Sequence, residues 1–155
     1  MDDPKRPFPK FVKTFDVLGR LFRKDYMVQD GIPGLSFFGY AAATYEYDEE
    51  GRETKASFYG LDGEPCTRID GFSAMVSEYD EADNVIRTAY LDTKGDPCPN
   101  KFGVAVWRAE YDCLGRNTLL AFFDGKGKPC ADRRGVSGWQ RTDDTVSFSA
   151  PHLDT

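Results

Sequence analysis

Residues 39–59 read GYAAATYEY, then DEEG, then RETKASFY: two runs rich in aromatic, β-branched and small residues, separated by a short polar stretch. The arrangement returns as GFSAMVSEY and NVIRTAYL over 71–91, and as GVAVWRAEY and RNTLLAFF over 103–123. Runs of this kind bounded by Gly, Pro and Asp predict β-strands. No helical period of about 3.6 residues persists across them. Each polar interruption predicts a hairpin tip. Its Asp can accept a backbone N–H two residues on, and a Gly three residues after the Asp supplies the positive φ that closes the turn.

Set in rows of 32 residues, the chain brings these tips into register without an insertion. An aromatic column, Phe15, Tyr47, Tyr79 and Tyr111, is followed by Asp16, Asp48, Asp80 and Asp112, and then by Gly19, Gly51, Asp83 and Gly115. Asp83 is compatible with the same turn, since Asp tolerates left-handed backbone better than most residues. Tyr26, Phe58, Tyr90 and Phe122 form a second aromatic column. Gly31, Gly63, Gly95 and Gly127 form another, as do Pro33, Pro65, Pro97 and Pro129, and Gly39, Gly71, Gly103 and Gly135. A second turn is therefore expected after each hairpin, as in LDGEPC, DTKGDPC and DGKGKPC, where proline removes a donor and helps end a strand.

Self-similarity at a fixed period marks a repeat architecture. The expected fold is all-β: tandem β-hairpin repeats, about four and a half 32-residue units, forming an open meander or solenoid-like array. A closed ring of hairpins is less favoured, because a four-stranded propeller blade usually needs about 40 residues or more. Strands are expected to start near Phe8, Tyr40, Phe72, Val104 and Val136, with a degenerate fifth hairpin ending around Thr145 to Phe148. The small-residue columns Ala41, Ser73, Ala105, Ser137 and Ser57, Ala89, Ala121 would let stacked hairpins approach closely. Residues 1–7 read as an N-terminal arm, 8–142 as one repeat domain, and 143–155 as a degenerate hairpin or cap and tail. Pro4, Pro7 and Pro9 are placed to blunt an exposed edge.

The tips YEYDEEGR, YDCLGR and FDVLGR resemble the YD repeats of the RHS family. That resemblance implies a strand-rich module with a large surface, in that family often wrapped as a shell around a toxin domain. The spacing here is longer than in YD repeats, and each row adds an aromatic–x–D–x–x–G–x–P unit. No encapsulating role is carried across. A more distant similarity to choline- and glucan-binding repeats lacks their GW…WYY core.

Composition narrows the partners. The chain has 155 residues and a formal net charge of −6, so nucleic acid has no general electrostatic support. No apolar run approaches the roughly 18 residues of a membrane span, and MDDPKRPFPKF lacks a secretory apolar core. A cytoplasmic protein is the expectation.

Cys66, Cys98 and Cys130 share a column, with Cys113 outside it. Without a CxxC pair they read foremost as thiols inherited with the unit, ahead of disulfide or metal. His152, the sole histidine, lies near the C-terminus and is poorly placed for a nucleophile–base pair. Glu46, Glu78 and Glu110 recur symmetrically, which suits cross-strand pairing with Lys55 and Arg87 more than acid–base chemistry. The Asp-rich tips could attract calcium but lack its loop patterns. No P-loop or dinucleotide fingerprint is present.

No catalytic residue, cofactor or metal is therefore assigned. The residues that break the rows are Trp107 and Trp139, which share a column with Ala43 and Met75. They are either core residues or an aromatic strip suited to a sugar ring or a partner's apolar side chain. The expected function is a non-enzymatic repeat module for protein–protein interaction or scaffolding. A carbohydrate- or cell-envelope-binding module is the alternative.

Overall fold

The computed structural model describes residues 10–142 and 145–148. These contain no helix; their elements are β-strands throughout. In chain order they are β1 (Lys10–Phe15), β2 (Leu21–Gln29), the short β3 (Ile32–Pro33), β4 (Ala42–Tyr47), β5 (Glu53–Tyr59) and β6 (Ala74–Tyr79). Then come β7 (Val85–Leu91), β8 (Val106–Tyr111), β9 (Asn117–Phe123), β10 (Gly138–Thr142) and β11 (Thr145–Phe148). All join one sheet in the order β1-β2-β4-β5-β6-β7-β8-β9-β10-β11, with β3 pairing off β2. Each pairing is antiparallel, and the sheet is an open meander. The hairpins lie side by side in this sheet and are not stacked as layers.

The tips follow one backbone logic. Asp16, Asp48, Asp80 and Asp112 each accept at Oδ1 from the N–H two residues on and the N–H four residues on, at 2.9–3.0 Å. The closing residues Gly19, Gly51, Asp83 and Gly115 have φ of 79°, 82°, 66° and 78°. The register shifts by one residue just before each Asp, at Phe15, Tyr47, Tyr79 and Tyr111. A left-handed residue next to a one-residue bulge is how a longer hairpin loop keeps the twist of its strands.

The tips are also tied to one another. The Tyr47 hydroxyl donates to the Leu21 carbonyl at 2.5 Å and lies under the Arg20 guanidinium. Tyr79 repeats this with the Glu53 carbonyl at 2.6 Å and with Arg52. Arg52 Nη1 also donates to the Asp80 carbonyl and to Asp83 Oδ1. The aromatic, Asp and Arg of the recurring hexapeptide thus close one tip and hold it to its neighbour.

The strands begin two residues later than the sequence pattern suggests, at Ala42, Ala74, Val106 and Gly138 in place of Tyr40, Phe72, Val104 and Val136. These four belong instead to a third turn. Its first residue, Ser36, Arg68, Asn100 or Asp132, donates its N–H to their carbonyls at 2.7–2.8 Å. Gly39, Gly71, Gly103 and Gly135 close it with positive φ. Tyr40, Phe72 and Val104 are buried there. The start near Phe8 and the 1–7 arm, Pro4, Pro7, Pro9, His152 and most of the 143–155 tail lie outside the described residues. The expected fifth hairpin is present as β10 paired with β11.

Small residues serve where hairpins meet edge to edge. Ala41, Ser73, Ala105 and Ser137 are buried, and their carbonyls accept from Tyr26, Phe58, Tyr90 and Phe122 at 2.7–3.0 Å. Glu46 pairs across the sheet with Lys55 at 3.8 Å, and Glu78 with Arg87 at 3.1 Å.

Candidate binding site

Alternation along β4–β9 turns one set of side chains to a common face. Ala43 is opposite Phe58, Ala56 opposite Met75, Met75 opposite Tyr90, Thr88 opposite Trp107, and Trp107 opposite Phe122. The third turns fold over this face and add Tyr40, Phe72 and Val104 to it. The result is a spine of touching rings from Phe11 through Tyr26, Tyr40, Phe58 and Phe72 to Tyr90, with centroids 4.7–6.1 Å apart. Aromatic pairs at such spacing add to the stability supplied by burial alone. Burial pushes the Tyr40 hydroxyl well above its ordinary pKa.

Arg68 lies within this spine. Its guanidinium is 4.4 Å from the centre of Phe58, 4.9 Å from Phe38 and from Phe72, and 5.3 Å from Tyr40. Only 14% of its side chain is exposed, and Nη2 meets Asp70 Oδ2 at 3.0 Å. Nε is buried with no hydrogen-bond partner among the described residues. A planar guanidinium suits this position because it loses less hydration than an ammonium and can stack on ring faces.

The spine stops after Tyr90, where Val104 stands in the column of Tyr40 and Phe72. Beside it opens a cavity of about 340 Å³ lined by Tyr90, Phe102, Val104, Trp107, Phe122 and Asp132. Asn100 and Arg134 complete its rim. Asp132 occupies the column of Arg68 but points back into its own turn. Its Oδ1 accepts from the N–H groups of Arg134 and Val136, and its Oδ2 accepts from the Arg134 side chain at 2.7 and 2.9 Å. Burial pushes the Asp132 carboxyl upward, but these bonds outweigh it and leave the group below its ordinary value.

Trp107 and Trp139 lie on the same face, opposite Phe122 and Leu120 of β9, and both are half-buried. Trp107 is a wall of the cavity. The earlier members of their column are the fully buried Ala43 and Met75, which packs against the buried cluster. Arg68 was not marked by motif. Its signal is a single exception: in the column Ser36, Arg68, Asn100 and Asp132 every member but Arg68 offers a turn-capping oxygen.

Cys66, Cys98 and Cys130 are half-buried free thiols, each pushed above its ordinary pKa by burial; Cys113 is free and exposed. Among the described residues no three His, Cys, Asp or Glu side chains are grouped to hold a metal ion. Backbone N–H bonds from Arg20, Arg52, Asn84 and Arg116 hold the carboxyls of Asp16, Asp48, Asp80 and Asp112 below their ordinary range. No helix among the described residues is long and apolar enough to cross a membrane. Compared with protein-family models and with curated proteins, the sequence matches none of them.

Proposed function

We propose that the chain is a non-enzymatic module of tandem, YD-like hairpin repeats with a 32-residue period that serves protein–protein interaction or scaffolding. The observation that carries this reading is the β1 edge. β1 pairs only with β2 among the described residues, and all six of its residues are exposed. Phe11, Val12 and Phe15 are each about half exposed, so both faces of the edge present apolar side chains. An unpaired edge with apolar side chains is a template for an added strand. The test is capture of partner proteins by the wild-type chain and by Phe11→Lys with Phe15→Lys. Loss of capture with an unchanged far-ultraviolet spectrum is the expected result. Equal capture by the variant overturns the edge as the binding surface.

The carbohydrate reading is kept as the second because Trp107 and Trp139 share a face with β9 between them. Retention on insoluble glycans that falls on Trp107→Ala with Trp139→Ala supports it. Retention that does not change removes those two residues from it.

A further inference from the structure

A cation fills one site within the spine, and the corresponding site beyond the end of the spine is empty. Moving each residue of the Arg68 site by 64 positions converts Phe38, Tyr40, Phe58 and Phe72 into Phe102, Val104, Phe122 and Val136, and Arg68 into Asp132. Arg68 fills its site from within, with Asp70 as its partner. At the second site the charges are exchanged: Asp132 is the buried member, and Arg134 reaches outward with 78% of its side chain exposed. An Asp is too short to occupy the volume of an Arg side chain, and Val104 is smaller than Tyr40. The unfilled volume is the cavity of about 340 Å³. Ring walls remain around it in Tyr90, Phe102, Trp107 and Phe122.

We propose that this cavity receives the arginine side chain of a protein partner, whose guanidinium lies among the rings as that of Arg68 does in its own site. The ring faces are of the same kind at both sites. Flat faces attract a weakly hydrated planar cation. A carboxylate stands at the cavity edge, engaged by an exposed Arg134 that the incoming guanidinium can displace from Asp132 Oδ2. The net charge of −6 favours approach of a basic segment. The proposal rests on the protein-interaction reading but uses a different surface from the β1 edge.

The experiment is an NMR titration of the isotope-labelled full chain with acetylated, amidated Gly-Arg-Gly, and with the same peptide carrying citrulline, lysine, leucine or glutamate in place of arginine. The chain has two tryptophans, so the indole N–H signals are assigned with a single Trp139→Phe variant. The expected result is movement of the Trp107 indole and of the Phe102 and Asp132 amides with the arginine peptide, and binding roughly tenfold weaker for citrulline, which keeps the shape and loses the charge. Equal binding of citrulline or leucine overturns the proposal in favour of an apolar pocket. Movement of Trp107 by a soluble oligosaccharide, and not by arginine, overturns it in favour of a glycan. No movement with any arginine peptide at about 10 mM, a range that still reports very weak binding, also overturns it.

A second variant guards against a change of fold. Asp132→Arg with Arg134→Asp installs the Arg68–Asp70 order, so the new side chain should fill the cavity and abolish peptide binding while the far-ultraviolet spectrum stays unchanged. Unchanged binding in that variant places the peptide elsewhere and overturns the proposal. Scoring the β1 variant in parallel separates the two readings. Loss of partner capture there, with no arginine binding at Trp107, overturns this proposal alone. Arginine binding at Trp107, with capture untouched by the β1 changes, overturns the edge reading alone.

Discussion

Around Arg68 the rings of Phe38, Tyr40, Phe58 and Phe72 close over a guanidinium, whereas around Asp132 the corresponding face holds Phe102, Val104 and Phe122 and stays open. The backbone frame is the same in both. Gly71 and Gly135 close their turns at φ 96° and 85°, and the turn bonds Arg68 N–H to Phe72 and Asp132 N–H to Val136 are 2.8 and 2.7 Å. The frame is therefore independent of how the face above it is filled. Hydrogen bonds and left-handed residues set the frame, and side-chain volume sets the filling. Separating the two lets one sheet carry a packed core at one end and an accessible cavity at the other.

The largest effect that tests this difference is in the second aromatic column. Phe58 is 3% exposed, so Phe58→Ala should cost about 4 kcal/mol. Phe122→Ala should cost roughly 1–2 kcal/mol, because that ring already borders empty space. Chemical denaturation of both variants measures the gap, and equal costs would show that the open end is as tightly packed as the filled one.

Next is the cation itself. Arg68→Ala should destabilise by about 3 kcal/mol, since it leaves Asp70 without its partner and the rings without their filler. Arg68→Lys should recover only part of this, because an ammonium neither stacks nor fills the plane. At the other site Asp132→Ala should cost about 1–2 kcal/mol, the loss of a turn cap without loss of packing. Thermal midpoints of the three variants rank them, and full rescue by lysine would show that charge alone matters at position 68.

A smaller effect of opposite sign is expected from Val104→Phe, which restores the aromatic column and should stabilise by about 1 kcal/mol if the ring enters the cavity. A destabilised variant would mean that the cavity walls cannot admit a ring.

The smallest regional difference is expected with acid, because the four tips at Asp16, Asp48, Asp80 and Asp112 are alike. Asp16, Asp48, Asp80 and Asp112 have folded-state pKa values below those of the unfolded chain. Their contribution is complete above the ordinary carboxylate value of about 4 and is lost as pH falls through the lower folded values. Thermal midpoints measured from pH 6 downward should hold and then drop below about pH 4. A chain that loses stability mainly on the alkaline side would contradict this assignment.

Much of the frame was legible in the residues. Asp–x–x–Gly fixes a local backbone geometry through a side-chain acceptor and a left-handed residue, so the tips at 16–19, 48–51, 80–83 and 112–115 could be placed from sequence, including the one closed by Asp83. The third turn was harder to see. Its first position varies among Ser36, Arg68, Asn100 and Asp132, and the apolar residue after its Gly looks like the start of a strand. Tyr40, Phe72 and Val104 have strand-forming composition, yet their carbonyls are used by the turn and their side chains cover the sheet.

The sequence by itself determined that the chain is all-β and where the hairpin tips lie, because a tip depends on hydrogen bonds between residues close along the chain. It did not determine that the hairpins would share one open sheet, nor which side of the tryptophan column would be covered. Only the tertiary structure decided that Arg68 fills one site while its counterpart two rows on is empty. That outcome depends on the summed volumes of side chains brought together from separate hairpins, and no one row of the sequence contains them all.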